Sequence, residues 1–197
     1  MRLFTRTQLR LLFCVLVLWL VPPGLSASLT DGLYDETFRR YWSRYLPNYD
    51  YRWGIAQCYQ ESLLRPRARS SAGAMGLCQF MPKTFEECRR ALRLGRAHPF
   101  HPQTSILCNA WYMERQIRIW KSERSELEKL FLAQASYNAG AGNIIKAQKK
   151  CDMALLWVNI QPCLHQITGK LSEETTVYIL RIKRWFRQLI KELLNET

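Results

Sequence analysis

The sequence predicts an all-α fold, with at most a short pair of strands, for a single domain that follows residue 27. Apolar residues recur along most of the chain at the three- and four-residue spacing of a helix face. Prolines and capping residues stand where these patterns begin or end. Hydrophobic residues are 48% of the 197 residues and charged residues 23%, so the composition is globular and can supply a sizeable core.

The first 27 residues have the layout of a secretion signal. Basic residues and no acid occupy its start, residues 11–21 are an unbroken apolar run, and Pro22, Pro23 and Gly24 follow before a small-residue end. A basic start, a short apolar middle and a helix-breaking end are typical of exported proteins. We therefore expect a signal peptide at 1–27, a mature domain at 28–197 and a periplasmic location. An uncleaved segment that associates with the inner membrane is the alternative.

The first half of the domain is predicted to hold three helices and one loop. Two helices are expected at 34–45 and 51–64, and each is followed two residues later by a proline, which stops a helix. Residues 70–81 are rich in Gly, Ala and Ser and predict a loop or a short strand pair. Pro82 then opens a helix, where a proline is tolerated in the first turn.

Four more helices are predicted in the second half. Residues 102–120 carry one apolar stripe, and a Ser-x-x-Glu capping box starts the helix at 125–137. A short basic helix is expected at 143–150. The long last helix, 173–194, has two glutamates in its first turn, as the helix dipole favours, and an apolar stripe opposite a basic face.

The charge balance predicts an anionic partner. The chain has 29 Lys and Arg against 16 Asp and Glu, a formal charge of +13 that becomes +10 without the three leader arginines. Such an excess suits an acidic polymer. Nucleic acid is not expected, because the basic residues are scattered and no nucleic-acid-binding module is present.

Seven cysteines agree with export. Cys14 lies in the leader, and the other six can form up to three disulfides in an oxidising compartment. Cys151–Cys163 is the pair we expect, because it closes a local loop rich in turn residues; the pairing of the others stays open, and unpaired buried thiols are possible. There is no C-x-x-C, and the His98 and His101 pair has no cysteine nearby in the sequence, so neither a metal nor another cofactor is predicted. The remaining cysteines are Cys58, Cys78, Cys88 and Cys108.

Glu61 is the candidate catalytic residue. It lies near the end of its predicted helix, and no other acid follows until Glu86. A lone carboxyl beside Ala- and Gly-rich backbone and apolar side chains loses solvation, which raises its pKa and suits a general acid near neutral pH. Gly73 and Gly76 add little bulk, so we expect a polymer to approach the backbone there. The plainer interpretation is a surface glutamate followed by an ordinary turn.

Three ordered motifs carry a family resemblance. The first runs from Glu61 through Pro66, Ala68 and Ser70 to the unbroken segment AGAMGLCQFMPKT at 72–84, and ASYNAG at 135–140 and ETTVY at 174–178 follow. Together they resemble the soluble lytic transglycosylases, goose-type-lysozyme-like domains that cut peptidoglycan. The likeness covers about residues 48–194, and its opening is most similar to phage and prophage members. Leu64 replaces the family's Phe, and Cys78 replaces a Met that usually helps to line the glycan cleft.

The resemblance implies a lysozyme-like fold, glycan strands as the partner and a set of site residues. Glu61 would act as acid and then as base, and a 1,6-anhydromuramyl product would form without water. Ser70 would orient the Glu61 carboxyl, and Gln79 would bind an acetamido group or the glycan. Tyr137 and Asn138 would flank the scissile bond, with Tyr137 near Glu61. Substrate roles also fall on Glu174 and Tyr178, although for these two we favour a structural role in capping and packing the last helix. No second chain is called for, so a monomer is expected.

Two alternatives stay open. A goose-type muramidase would use the same fold and the same Glu61 but water as the attacking group, and a second acid near the cleft, either Glu174 or Asp50, would favour it. A peptidoglycan-binding or anchoring protein without activity is the other. Retention of the motif residues argues against loss of activity.

Overall fold

The computed structural model describes residues 29–30 and 32–195, and the predicted leader lies outside them. The described part contains eight α-helices and no β-sheet, which confirms the predicted fold class. The helices are α1 (Asp35–Tyr45), α2 (Arg52–Ser62), α3 (Pro82–Ala91), α4 (Pro102–Arg118), α5 (Glu126–Ala139), α6 (Ala141–Lys150), α7 (Trp157–Thr168) and α8 (Leu171–Asn195). None of the helices in this part of the chain is long and apolar enough to cross a bilayer.

Seven of these helices match the predicted ones to within a few residues, and α7 was not predicted. The 70–81 segment is a loop stabilised by two isolated antiparallel bridges, Arg69–Met75 and Met75–Phe80, as the expectation of a loop or short strand pair allowed. The capping box is half formed: the Ser125 hydroxyl accepts the Glu128 amide at 3.3 Å. The Glu128 carboxylate instead accepts the amide of Trp157, the first residue of α7, at 2.7 Å.

The core is built around α1, α2 and α4. Trp42 of α1 is fully buried, and its indole nitrogen donates to Oδ1 of Asn109 in α4 at 3.0 Å. A Cβ on Gly54 of α2 would lie 2.3 Å from that indole, so only glycine lets the two helices approach this closely. This contact fixes the body of α2, whose last turn carries Glu61.

Helix α8 packs along α2 through aromatic side chains. Trp53 of α2 stacks on Phe186 of α8 with a ring separation of 3.8 Å. The Trp185 indole donates to the side-chain oxygen of Gln60 at 3.1 Å. These contacts set the register of the two helices and bring the first half of α8 against the C-terminal end of α2.

Three disulfides brace the helices of the described part. The predicted Cys151–Cys163 bond joins the end of α6 to α7. The other two pairs, whose partners the sequence left open, are Cys58–Cys78 and Cys88–Cys108. Cys58–Cys78 matters most for the site, because it ties α2 to the 70–81 loop one turn before Glu61.

Candidate active site

Glu61 stands at the end of α2, where the chain turns sharply. Leu63 and Leu64 both adopt left-handed backbone conformations, with φ of 56° and 55°, and the Leu63 amide closes the helix on Tyr59. The carboxyl therefore lies in the last turn, where the helix dipole disfavours an anion. The side chain is partly exposed, so it remains open to a ligand.

The Glu61 carboxyl is held by Tyr178 of α8, whose hydroxyl donates to Oε1 at 2.6 Å. Burial raises the pKa of Glu61 to about 8; the Tyr178 hydrogen bond lowers it, and the nearby Glu174 charge raises it. Burial outweighs the hydrogen bond, so the carboxyl holds its proton at neutral pH. That protonation state is the one a general acid needs.

Tyr137 of α5 is the second tyrosine close to Glu61. Its hydroxyl donates to the Cys78 carbonyl at 2.7 Å, and its ring packs edge-on against Phe80 and Tyr112. Burial and the nearby Glu61 charge raise the pKa of Tyr137 well above the usual value, so it stays neutral. The Glu61 charge acts on Tyr137, so the two side chains are close to each other, and Tyr137 also fixes the backbone of the 70–81 loop.

Asn138 and Glu174 meet at the start of α8. The Thr175 hydroxyl donates to Asn138 Oδ1 at 2.8 Å. Burial raises the pKa of Glu174, and the Asn138 side chain partly offsets this. A cavity opens here, lined by Asn138, Ala139, Asn143, Thr168, Leu171 and Thr175.

Ser70 and Gln79 form their hydrogen bonds with the backbone of residues 68–76. The Ser70 hydroxyl accepts the Ala74 amide at 3.0 Å, and the Gln79 amide nitrogen donates to the carbonyls of Gly76 and Ala68 at 2.8 and 3.3 Å. Both side chains therefore stabilise the 70–81 loop. Their predicted roles toward the carboxyl and the substrate stay predictions.

One expectation about this loop is wrong. Gly76 is buried, and a Cβ there would lie 2.0 Å from the Pro99 carbonyl, so its small size serves packing rather than access for a polymer. Gly73, with open space around it, keeps the predicted accessibility. The Cys78 side chain is fully buried in its disulfide, so it does not take over the cleft-lining role of the family's Met.

Two residues at the site, Gln57 and Thr175, are not among the predicted site residues, although Thr175 lies in the ETTVY motif. Gln57 is fully buried one turn before Glu61. Burial and the Glu61 charge raise the pKa of Tyr178 well above its usual value, and the Gln57 side chain lowers it in part. Thr175 orients Asn138. The direct contact of Tyr178 with Glu61 is also not predicted, because packing of the last helix is the role that the sequence analysis favours for that tyrosine. Asp50 is excluded as a partner of Glu61, since it binds Arg52 at 2.9 Å at the opposite end of α2.

An all-α domain that keeps one protonated carboxyl between a helix end and a long terminal helix is a lysozyme-like arrangement. Two solved structures share the fold. The 70 kDa soluble lytic transglycosylase SLT70 from Escherichia coli has a TM-score of 0.62 at 21% identity, over 80% of this chain and 24% of that one. An inactive Glu-to-Gln mutant of the lytic transglycosylase Slt from Pseudomonas aeruginosa has a TM-score of 0.66 at 24% identity, over 83% and 25%.

The family model of the transglycosylase SLT domain matches residues 47–155, more than half of the chain, and the chain belongs to that family. Curated relatives include the membrane-bound lytic murein transglycosylase F of Vibrio cholerae, 27% identical over 165 residues that cover 76% of this chain and 30% of that protein. The protein of the same name from Aliivibrio fischeri is 31% identical over 106 residues, 54% of this chain and 20% of that one. The chain thus spans less than a third of the length of these relatives.

Proposed function

We propose that this chain is a peptidoglycan lytic transglycosylase that cleaves the MurNAc-β-1,4-GlcNAc bond without water. The observation that carries the proposal is the Glu61 carboxyl, which is protonated at neutral pH and held by Tyr178 at 2.6 Å. Membership of the SLT family supports it, and so do the names of the curated relatives.

In the first step, Glu61 donates its proton to the oxygen that bridges the two sugars. The C1–O bond breaks with oxocarbenium character at C1, and the 2-acetamido group of the substrate assists. Glu61 is now a carboxylate. The Tyr178 hydroxyl stabilises that new charge, because a hydrogen bond to the charged form favours it.

In the second step, the Glu61 carboxylate takes the proton of the muramyl C6 hydroxyl. The C6 oxygen then forms a bond to C1, which gives a 1,6-anhydromuramyl end and returns Glu61 to its acid form. Asn138 would orient the glycan, which its position in the lining of the cavity supports, and Ser70 and Gln79 would shape the 70–81 loop.

One observation favours the muramidase alternative. Glu174 lies close enough to raise the pKa of Glu61, so a second acid does stand near the cleft. In a hydrolase, Glu174 would activate a water that attacks C1. In a transglycosylase, its charge would only help Glu61 to keep its proton.

Mass spectrometry of muropeptides released from purified sacculi tests the proposal. We expect products lighter by one water than hydrolysis products, with anhydromuramyl ends, and none from Glu61→Gln. Reducing-end products that disappear in Glu174→Gln would move the protein to the muramidases. Binding to sacculi without release of any product would leave a wall-binding protein.

We further propose that the mature domain is exported to the periplasm and acts as a monomer on glycan strands. Three disulfides among the described residues support an oxidising compartment. Whether residues 1–27 are removed or hold the protein at the inner membrane is decided by the mass of the exported protein and its fractionation.

A further inference from the structure

The segment that joins Glu61 to the 70–81 loop carries three exposed arginines, Arg65, Arg67 and Arg69. The residues between and after them are partly buried, so exposure alternates along the segment and all three arginines are exposed. We call these residues the arginine strip. Like charges this close repel one another and destabilise the folded protein, and a bound anion would relieve that repulsion.

Among the residues that the structure describes, no carboxylate forms an ion pair with the strip. The ion pairs among the described residues involve other arginines and lysines. Arg65 instead donates from Nε to the Ser62 carbonyl at 2.9 Å, and Arg69 stacks on the Phe100 ring at 4.5 Å. Both contacts order the side chains while leaving donor groups for a ligand.

The backbone of the strip is fixed to the site. The Ala68 carbonyl accepts the Gly76 amide at 2.9 Å and the Gln79 side chain at 3.3 Å. The Arg65 amide donates to the Ser62 hydroxyl at 3.0 Å, and that hydroxyl donates to the Leu77 carbonyl at 2.7 Å. Because Arg65 is only four residues from Glu61, its Cα lies within about 14 Å of the catalytic residue.

We propose that Arg65, Arg67 and Arg69 bind the carboxylates of the peptide stems on the glycan strand, so that strands with charged stems are cleaved in preference to strands without them. The proposal rests on the proposed function and adds what the site selects. Arginine pairs with carboxylates through two parallel hydrogen bonds. Exposed charges at the rim of a site act on capture of the substrate more than on the chemical step, so the effect belongs in kcat/KM and not in kcat.

The test compares two substrates and two triple variants. The substrates are soluble peptide-bearing strands and the same strands after carbodiimide-mediated amidation, which removes the carboxylate charge but keeps the stems. The variants are Arg65→Gln/Arg67→Gln/Arg69→Gln and, as a control with the same charge change, Arg184→Gln/Arg187→Gln/Lys191→Gln. The control residues are exposed and lie between about 9 and 20 Å further along α8 than Tyr178.

We expect the strip variant to lose about tenfold in kcat/KM on native strands, with kcat kept, as three exposed pairs can supply. On amidated strands it should match the wild type, while the control variant should follow the wild type on both. Equal losses in the two variants, or a loss by the strip variant on amidated strands as large as on native ones, would overturn the proposal.

Sedimentation with native and amidated sacculi, in the Glu61→Gln background, separates this proposal from the proposed function. Absence of cleavage by the wild type would defeat the proposed function only. The arginine strip stands if its three substitutions weaken binding to native sacculi alone, and it falls if binding is unchanged. A far-ultraviolet circular dichroism spectrum of each variant confirms that the fold is kept.

Discussion

Replacing Glu61 by glutamine should make the protein more stable while it removes activity. The carboxyl holds its proton in the folded protein up to a pKa of about 8, against an ordinary value of 4.5. The unfolded chain releases that proton above 4.5, so folding takes up a proton between these values. Stability contributed by Glu61 is therefore complete below pH 4.5 and falls as the pH rises toward 8. Glutamine has the same shape and no proton to lose.

The size of the effect follows from the two pKa values. Each pH unit above 4.5 costs about 1.4 kcal/mol until the folded carboxyl ionises. At pH 7 the full cost would exceed 3 kcal/mol, and the part of Glu61 that still faces water reduces it. We expect Glu61→Gln to raise the free energy of unfolding by about 2 to 3 kcal/mol at pH 7 and by almost nothing at pH 4. Activity should fall by about 10² to 10⁴-fold, the usual value of a general acid.

Urea unfolding followed by circular dichroism at pH 4, 5.5 and 7 measures this difference. Glu126→Gln is the matched control, because Glu126 also accepts a tyrosine hydroxyl, that of Tyr49, at 2.6 Å, but stands on the surface. Hydrogen bonds from Tyr49 and Lys129 lower the pKa of Glu126, so its substitution should destabilise at pH 7. The protonated carboxyl would be refuted if the gain in unfolding free energy of Glu61→Gln over wild type were no larger at pH 7 than at pH 4.

Two further predictions concern the surroundings of Glu61. Tyr178→Phe removes the hydrogen bond that favours the carboxylate, so the alkaline limb of the pH–rate profile should move up by about one unit, whereas Tyr112→Phe should leave it in place; a downward shift would contradict the assignment. Gly76→Ala places a Cβ 2.0 Å from a backbone carbonyl at a φ of +79° and should cost at least about 3 kcal/mol in denaturant unfolding. Gly73→Ala, at a φ of +87° in open space, should cost about 1 kcal/mol, and equal losses at the two glycines would show that the contact is unimportant.

Most helices could be predicted because their signals are local. The α8 stripe is an example: Ile179 and Ile182 are fully buried, as the spacing indicated. Helix α7 was not predicted because Pro162 interrupts it and no side chain of its own caps it. Its first amide is instead satisfied by Glu128, which lies 29 residues earlier in the sequence. A cap supplied by another helix leaves no mark in the sequence around the capped one.

The same limit applies to the site. A solitary carboxyl among apolar residues predicted the raised pKa of Glu61, because desolvation is set largely by its neighbours. The partner that holds the carboxyl, Tyr178, lies 117 residues away and depends on how α8 packs along α2. The lack of a side chain at Gly76 predicted an accessible backbone. Its close neighbour, the Pro99 carbonyl, belongs to another loop, whose position cannot be predicted from the local sequence.

Cys78 shows how one substitution changes the way a site is built. Where the family's Met would help to line the cleft, this chain has a cysteine whose sulfur is withdrawn into a buried bond with Cys58, and the two Cα atoms are 4.5 Å apart. The residue contributes through its backbone instead, because its carbonyl accepts the Tyr137 hydroxyl. The bond joins the helix that carries Glu61 to the loop that positions Tyr137, so the geometry between acid and tyrosine is fixed covalently on one side. A flexible apolar contact is thus replaced by the Cys58–Cys78 disulfide. Because a disulfide persists only under oxidising conditions, the arrangement of the site depends on an oxidising compartment.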